Sequence, residues 1–183
     1  QYCEKAHAEG RKVLIWSNLV GNLRALQRVL KPMSPALVYG SVSQEDRQTE
    51  IDRFRHEETC GVLLSNPQTL GEGVSLHHHC HEAIYLDRSY NAGHYLQSLD
   101  RIHRLGLPPE QQTKIFILQA ARTIDQRVAP RLESKVERLA EALNDRSLSQ
   151  NSLPNEFGES PAELMGINEF DLNDLFSHLR SYE

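Results

Sequence analysis

The sequence predicts a doubly wound α/β domain, and two observations predict it. Buried-type apolar runs of four to six residues recur along the chain, and stretches with helical spacing separate them. Parallel strands need crossover helices, so this alternation favours a parallel sheet covered on both faces.

The first run is Val13-Leu14-Ile15-Trp16, a strand, followed by Leu19, Leu23, Leu26, Val29 and Leu30 on one face of a helix. Lys31-Pro32 ends that helix, and Leu37 to Tyr39 reads as the next strand. Ser43, followed by Gln44, Glu45 and Asp46, is a capped start for a helix reaching Phe54. Strands are expected at Gly61–Ser65, Ala83–Leu86 and Lys114–Gln119. Helices are expected at His94–His103 and from Ile124 to about Leu143.

After Asn144 the composition turns to Ser, Asn, Pro and Gly, which predicts a body over residues 1–149 and an appended segment over 150–183. Within the latter, Leu172, Leu175, Phe176 and Leu179 share a helical face among acids, a candidate docking helix for a protein partner.

The 183 residues carry a formal net charge of -5. Divided along the chain, residues 1–150 hold 19 Lys plus Arg against 18 Asp plus Glu, and 151–183 hold 1 against 7. The acid is therefore terminal, and any grip on nucleic acid must come from local amides and a few side chains. Neither a membrane-length apolar run nor a signal-peptide pattern is present, so no membrane partner is expected. Cys3, Cys60 and Cys80 share no paired spacing, which argues against a disulfide framework and fits a reducing compartment. The adjacent residues His77-His78-His79-Cys80-His81 cannot all converge on one tetrahedral ion; no metal site is expected, and the run reads as a connector. Asp87 at a strand end reads as a loop-fixing hydrogen-bond acceptor.

The richest segment is Gln97-Ser98-Leu99-Asp100-Arg101-Ile102-His103-Arg104-Leu105-Gly106. At about 100° per residue, Gln97, Asp100, Arg101 and Arg104 fall in one arc and Leu96, Leu99 and Ile102 opposite. Arg101 and Arg104 would lie roughly 4.5 Å apart along the axis, able to address one phosphate together. Fixed cations of this kind stabilise charge in phosphoryl transfer. Alternatively, both are solvated and paired to Asp100. Upstream, Leu70-Gly71-Glu72-Gly73-Val74-Ser75-Leu76 follows a strand, where glycines let amides approach phosphates. Alone, such a pair of glycines more often marks a turn.

Five segments stand in a specific order: Lys12 to Asn18; Tyr39 to Ser43 with Arg47 and Ile51-Asp52-Arg53-Phe54; Gly71 to Leu76; Asp87-Arg88-Ser89-Tyr90-Asn91; and Gln97 to Gly106. Together they resemble the C-terminal motifs of superfamily-two helicases over about residues 11–128. Asp100 and the motif around it resemble the Swi/Snf branch. Departures are Tyr90 where that branch has Trp, Leu107 where it has Gln, and an extra residue with Pro67 between Ser65 and Gly71.

The resemblance implies a RecA-like second lobe of an ATP-driven translocase of double-stranded DNA, cut from a longer protein. It implies arginine fingers at Arg101 and Arg104, and a nucleotide neighbourhood at Gly71, Gly73 and Gln97. It places Ser17, Asn18, Gly40, Ser41, Ser65 and Asn66 near a DNA strand. ATP and Mg2+ would be held mainly by an N-terminal RecA-like lobe, because this chain has no phosphate-binding loop and no Asp-Glu box. The chain alone is expected to be inactive. The compartment expected is cytoplasmic, beside the nucleoid, in a bacterium, and nuclear in a eukaryote. Two other readings stay open: a lobe of an RNA-directed or strand-separating helicase, and a degenerate protein-binding module.

Overall fold

The computed structural model describes residues 1–70, 74–103, 111–123 and 125–144. Helix α1 (Tyr2–Ala8) precedes strand β1 (Val13–Trp16). Helix α2 (Val20–Val29) and a 3-10 turn at Lys31–Met33 lead to β2 (Ala36–Val38). Then follow α3 (Gln44–His56), β3 (Val62–Ser65), β4 (Glu82–Tyr85), α4 (Ala92–Asp100), β5 (Lys114–Ile117) and α5 (Asp125–Asn144). Every strand pairing is parallel, in the order β2-β3-β1-β4-β5, which is the doubly wound α/β fold that the sequence predicts.

The chain divides into two compact units, Gln1–Asp87 with Gln97–Gln119, and Arg88–Leu96 with Ala120–Glu183. The first holds the sheet. Val13, Ile15, Val62 and Leu64 point to one face, where they pack with Cys3, Ala6, Leu23 and Met33. Side chains alternate along a strand, so Leu14, Trp16, Leu63, Ala83 and Tyr85, all buried, fill the opposite face. Burial of each large apolar side chain contributes about 1.5–3 kcal/mol. Buried on both faces, β1 and β3 show the unbroken apolar runs that made them visible in the sequence.

Helix α1 has no counterpart among the predicted elements. It has seven residues, and the side chains it buries, Cys3 and Ala6, are small. Gly61 admits it closely, since a Cβ at that position would collide with the His7 ring. The helix start read at Ser43 is present as described. Its hydroxyl accepts from the Asp46 N–H at 3.1 Å and satisfies one of the open amides of α3.

Glu82, 5% exposed, is the buried charge among the described residues of the first unit. The Tyr2 hydroxyl donates to it at 2.9 Å, the Arg11 guanidinium also donates to it, and Lys114 Nζ lies 3.6 Å away. Such partners offset the cost of taking a carboxylate out of water. Its role is therefore structural. Burial, then the bond to Glu82, raises the Tyr2 hydroxyl above its ordinary value.

All three cysteines are buried as free thiols. Burial pushes the Cys80 thiol up to about 12 and raises Cys60 as well. The folded state thus holds these protons more tightly than the unfolded chain does. The stability tied to this is complete below the ordinary thiol range and is lost as pH rises through the folded value. Iodoacetamide at about pH 8 is expected to leave Cys60 and Cys80 unmodified in the folded chain and to label both in denaturant, as read by mass spectrometry. Rapid native labelling of Cys80 would contradict its burial.

In the second unit, α5 contains Pro130. Proline has no N–H to donate, so the first turns of this helix lack one rung and are prone to kink there. The Thr123 hydroxyl donates to the Ala120 carbonyl at 2.8 Å. Ala120 N–H donates to Asp125 at 3.1 Å and Arg122 N–H to Gln126 at 3.0 Å, which fixes the turn that opens the helix. The expected boundary at 149/150 and the candidate docking face from Leu172 to Leu179 lie outside the described residues.

Candidate functional site

Parallel strands end on one side of the sheet, and ligands of such folds gather there. At this side the ends of β1, β3 and β4 bring together Ser17, Asn18, Ser65, Asn66 and Asp87. The Asp87 carboxylate is the anchor. It accepts from the Ser17 hydroxyl, from the Asn18 N–H at 2.7 Å and from Asn18 Nδ2 at 2.9 Å. The turn after β1 is therefore fixed by one acid from the neighbouring strand, the acceptor role read for Asp87 in the sequence.

The residues the resemblance assigned to DNA fall into two groups. Ser17 and Ser65 have no exposure, and Asn66 has 8%. The amide of Asn66 donates to the Ser17 carbonyl at 2.7 Å, the Ser65 hydroxyl turns onto the Asn66 carbonyl at 3.2 Å, and the Ser17 N–H donates to the Ser65 carbonyl at 3.1 Å. The Asn66 amide and the Ser17 main chain thus tie the end of β1 to that of β3. By contrast, Gly40 and Ser41 are exposed and Asn18 is half-buried. Arg47 holds the Gly40 turn from behind, with its Nε on the Val42 carbonyl at 2.8 Å and Nη2 on that of Gly40 at 2.7 Å. Among the described residues, none beyond its chain neighbours comes within 4 Å of the position of a Gly40 Cβ, so a side chain there would meet open space.

Helix α4 ends at Asp100, and Arg101 to His103 continue as a turn, with the Ile102 and His103 amides donating to Leu99. The helix expected over His94–His103 thus starts two residues earlier and ends three residues earlier in regular form. Ile102 is fully buried, and Arg101 is half-buried. The Arg101 carbonyl accepts from the Leu76 N–H at 2.9 Å, and its guanidinium makes a long contact of 3.5 Å to the Val74 carbonyl. Arg55 steadies the same segment through the Ser75 carbonyl at 3.1 Å. No signal in the sequence marks Arg55 for this. Gln97 is exposed on α4. Gly71, Gly73 and Arg104 lie outside the described residues, so of the expected finger pair only Arg101 has a described position.

In the second unit, Asn91 caps α4. Its side-chain oxygen accepts from the His94 N–H at 3.0 Å, and its own N–H donates to the Ser89 hydroxyl at 3.2 Å. Tyr90 is buried, and Lys135 Nζ lies 5.5 Å from its ring centre. This is a cation–π arrangement.

The histidine run forms a helical turn into β4, with the His79 and Cys80 amides on the Leu76 carbonyl. Its side chains diverge. His79 meets His56 edge-on, while the Cys80 thiol faces the Lys12 and Glu82 carbonyls. Among the described residues, no three His, Cys, Asp or Glu side chains are grouped to hold a metal ion.

Against known families, the profile described as "Helicase conserved C-terminal domain" matches residues 1–106. The fission yeast "ATP-dependent helicase fft2" is 36% identical over 105 residues, covering 56% of this chain and 8% of that protein. The human "Lymphoid-specific helicase" is 30% identical over 131 residues, covering 69% of this chain and 15% of its own length. Among solved structures, the C-terminal part of the Fun30 ATPase domain superposes with a TM-score of 0.60 at 26% identity, over 68% of this chain and 40% of that one. The Sulfolobus solfataricus SWI2/SNF2 ATPase core in complex with double-stranded DNA gives 0.54 at 22% identity, over 70% and 26%. The chain thus spans a small part of its curated relatives. It belongs to the helicase C-terminal domain family and has the RecA-like fold of the second lobe of Swi/Snf-type proteins.

Proposed function

We propose that this lobe completes the ATPase site of a duplex-DNA translocase. The observation that carries the reading is the attachment of Arg101 to Val74 and Leu76. The putting-together of an arginine and the segment leaving the glycine loop lets one rigid turn present both to a nucleotide. ATP and Mg2+, held mainly by an N-terminal lobe, would supply the transferable phosphoryl group and its charge neutralisation. Arg101, with Arg104, then offers guanidinium donors to that phosphate, and Gln97 lines the cleft beside Gly71 and Gly73. The donor set suits an anion, since guanidinium nitrogens can only donate.

Toward DNA, Asn18, Gly40 and Ser41 offer the accessible polar groups; Asp87 holds Asn18 in place and Arg47 holds the Gly40 turn. Backbone and hydroxyl contacts of this type grip phosphates without reading bases. The near-neutral body supplies no broad cationic field, so affinity for DNA depends on both lobes together. The relatives named as helicases and chromatin-remodeling ATPases come from yeasts, a plant and human, which favours a nuclear setting over the bacterial one.

The test is ATP hydrolysis by the two-lobe parent protein with duplex DNA, single-stranded DNA or RNA added in turn. Duplex DNA is expected to stimulate turnover most. Greater stimulation by RNA or by single strands would replace this reading with a strand-separating or RNA-directed helicase, and no turnover with any of them would leave a protein-binding lobe.

A further inference from the structure

The two edges of the sheet are treated differently. At the β2 edge, the outward N–H of Leu37 donates to the Glu50 carboxylate at 3.0 Å, so α3 seals it. At the β5 edge, the amides of Lys114 and Leu118 donate inward to His81 and Tyr85. Alternation along a parallel ladder therefore turns the N–H and C=O groups of Ile115 and Ile117 outward. Among the described residues nothing meets them. Ile115, Phe116, Ile117 and Leu118 are also exposed by 39%, 37%, 38% and 52%. Proteins blunt an edge strand with charge, proline, a bulge or a cover, because an open apolar edge templates pairing with another chain. Among the described residues only Lys114, at one end, serves that purpose.

A cavity of about 390 Å³ opens beside the start of β5, at the opposite end of the sheet from Asp87. Arg11, Lys12 and Lys114 line it against the single acid Glu82, and Gln111 and Gln112 add amides. Lys12 is committed to the carbonyls of Phe54, Arg55 and Glu57, and Arg11 to Glu9 and Glu82. Lys114, about half exposed and 3.6 Å from Glu82 at the long end of ion pairing, and the two amides are what a ligand would meet. We propose that β5 is a docking edge for an extended partner peptide that adds as a sixth strand. Its acidic end sits in this cavity near Lys114, and its alternate aliphatic residues cover Ile115 and Ile117. Main-chain bonds to those two residues supply affinity, and the acid fixes the register.

The probes are a fluorescein-labelled peptide Asp-Glu-Thr-Val-Thr-Ile-Thr-Lys and the same residues in reversed order, titrated into the full chain by fluorescence anisotropy. One of the two is expected to bind saturably, which also gives the direction of addition. Ile117→Pro removes an outward N–H without breaking a bond to β4, and is expected to weaken binding by about tenfold or more. Lys114→Glu is expected to weaken it several-fold. Amide exchange in the unmodified chain provides a reading free of any folding defect. Ile115 and Ile117 should exchange rapidly, Phe116 slowly, and the peptide should slow the first two. Absence of saturable binding, or binding indifferent to Ile117→Pro without slowed exchange, would overturn the proposal. So would slow exchange of both amides in the monomeric free chain, meaning that its own residues cover the edge, or a concentration-dependent dimer in sedimentation that protects them, meaning that a second copy does.

Discussion

Replacing Arg101 with alanine in the two-lobe parent protein is expected to lower ATP turnover by about 10³-fold, with DNA-free nucleotide affinity little changed. An arginine that meets the transferring phosphoryl group acts mainly in the transition state, and such fingers contribute about three to five orders of magnitude. The loss corresponds to about 4 kcal/mol of barrier. Arg101→Lys should recover little, because an ammonium keeps the charge but not the planar pair of donors. The fold should survive both changes, since the side chain is half-buried and, among the described residues, is given only the long contact to Val74. Steady-state kinetics with circular dichroism as control decides the matter. If turnover is unchanged in a folded Arg101→Ala protein, the residue is not a finger. If KM rises with kcat constant, it binds nucleotide without aiding the chemical step.

Much of this lobe is legible in the sequence because it is an extreme case of a simple rule. Strands buried on both faces must be apolar at every position, so Val13-Leu14-Ile15-Trp16 and Val62-Leu63-Leu64 stand out without any neighbour being known. Ser43 announces α3 because few side chains can satisfy an open helical amide. What escapes is whatever depends on partners distant along the chain. Helix α1 buries only small groups, so no periodic pattern betrays it. Asn66 is an instance at the site itself. The resemblance puts it beside DNA, yet its amide bridges to the Ser17 carbonyl 49 residues away, a bond that only the sheet order β3-β1 creates. The exposure of β5 is equally hidden, since Lys-Ile-Phe-Ile reads the same whether or not another element covers it.

Trp16→Ala is expected to destabilise the lobe by about 3–5 kcal/mol, the loss usual when a large aromatic core residue is truncated. Trp16 has no exposure, and its ring stacks with that of Tyr85 at 6.3 Å between centroids. It is also the last residue of β1, so a cavity there removes the support under Ser17 and Asn18, and through them the turn that Asp87 fixes. A second substitution separates volume from polarity. The indole Nε1 of Trp16 is buried without a hydrogen-bond partner among the described residues, and an unmet donor costs about 1–3 kcal/mol. Trp16→Phe discards that donor together with part of the ring, so the two effects oppose each other and the net loss should be about 1 kcal/mol or less. Urea unfolding of the two variants measures both. A Phe variant as damaged as the Ala variant would mean that the indole N–H finds a partner after all and that its burial is no liability.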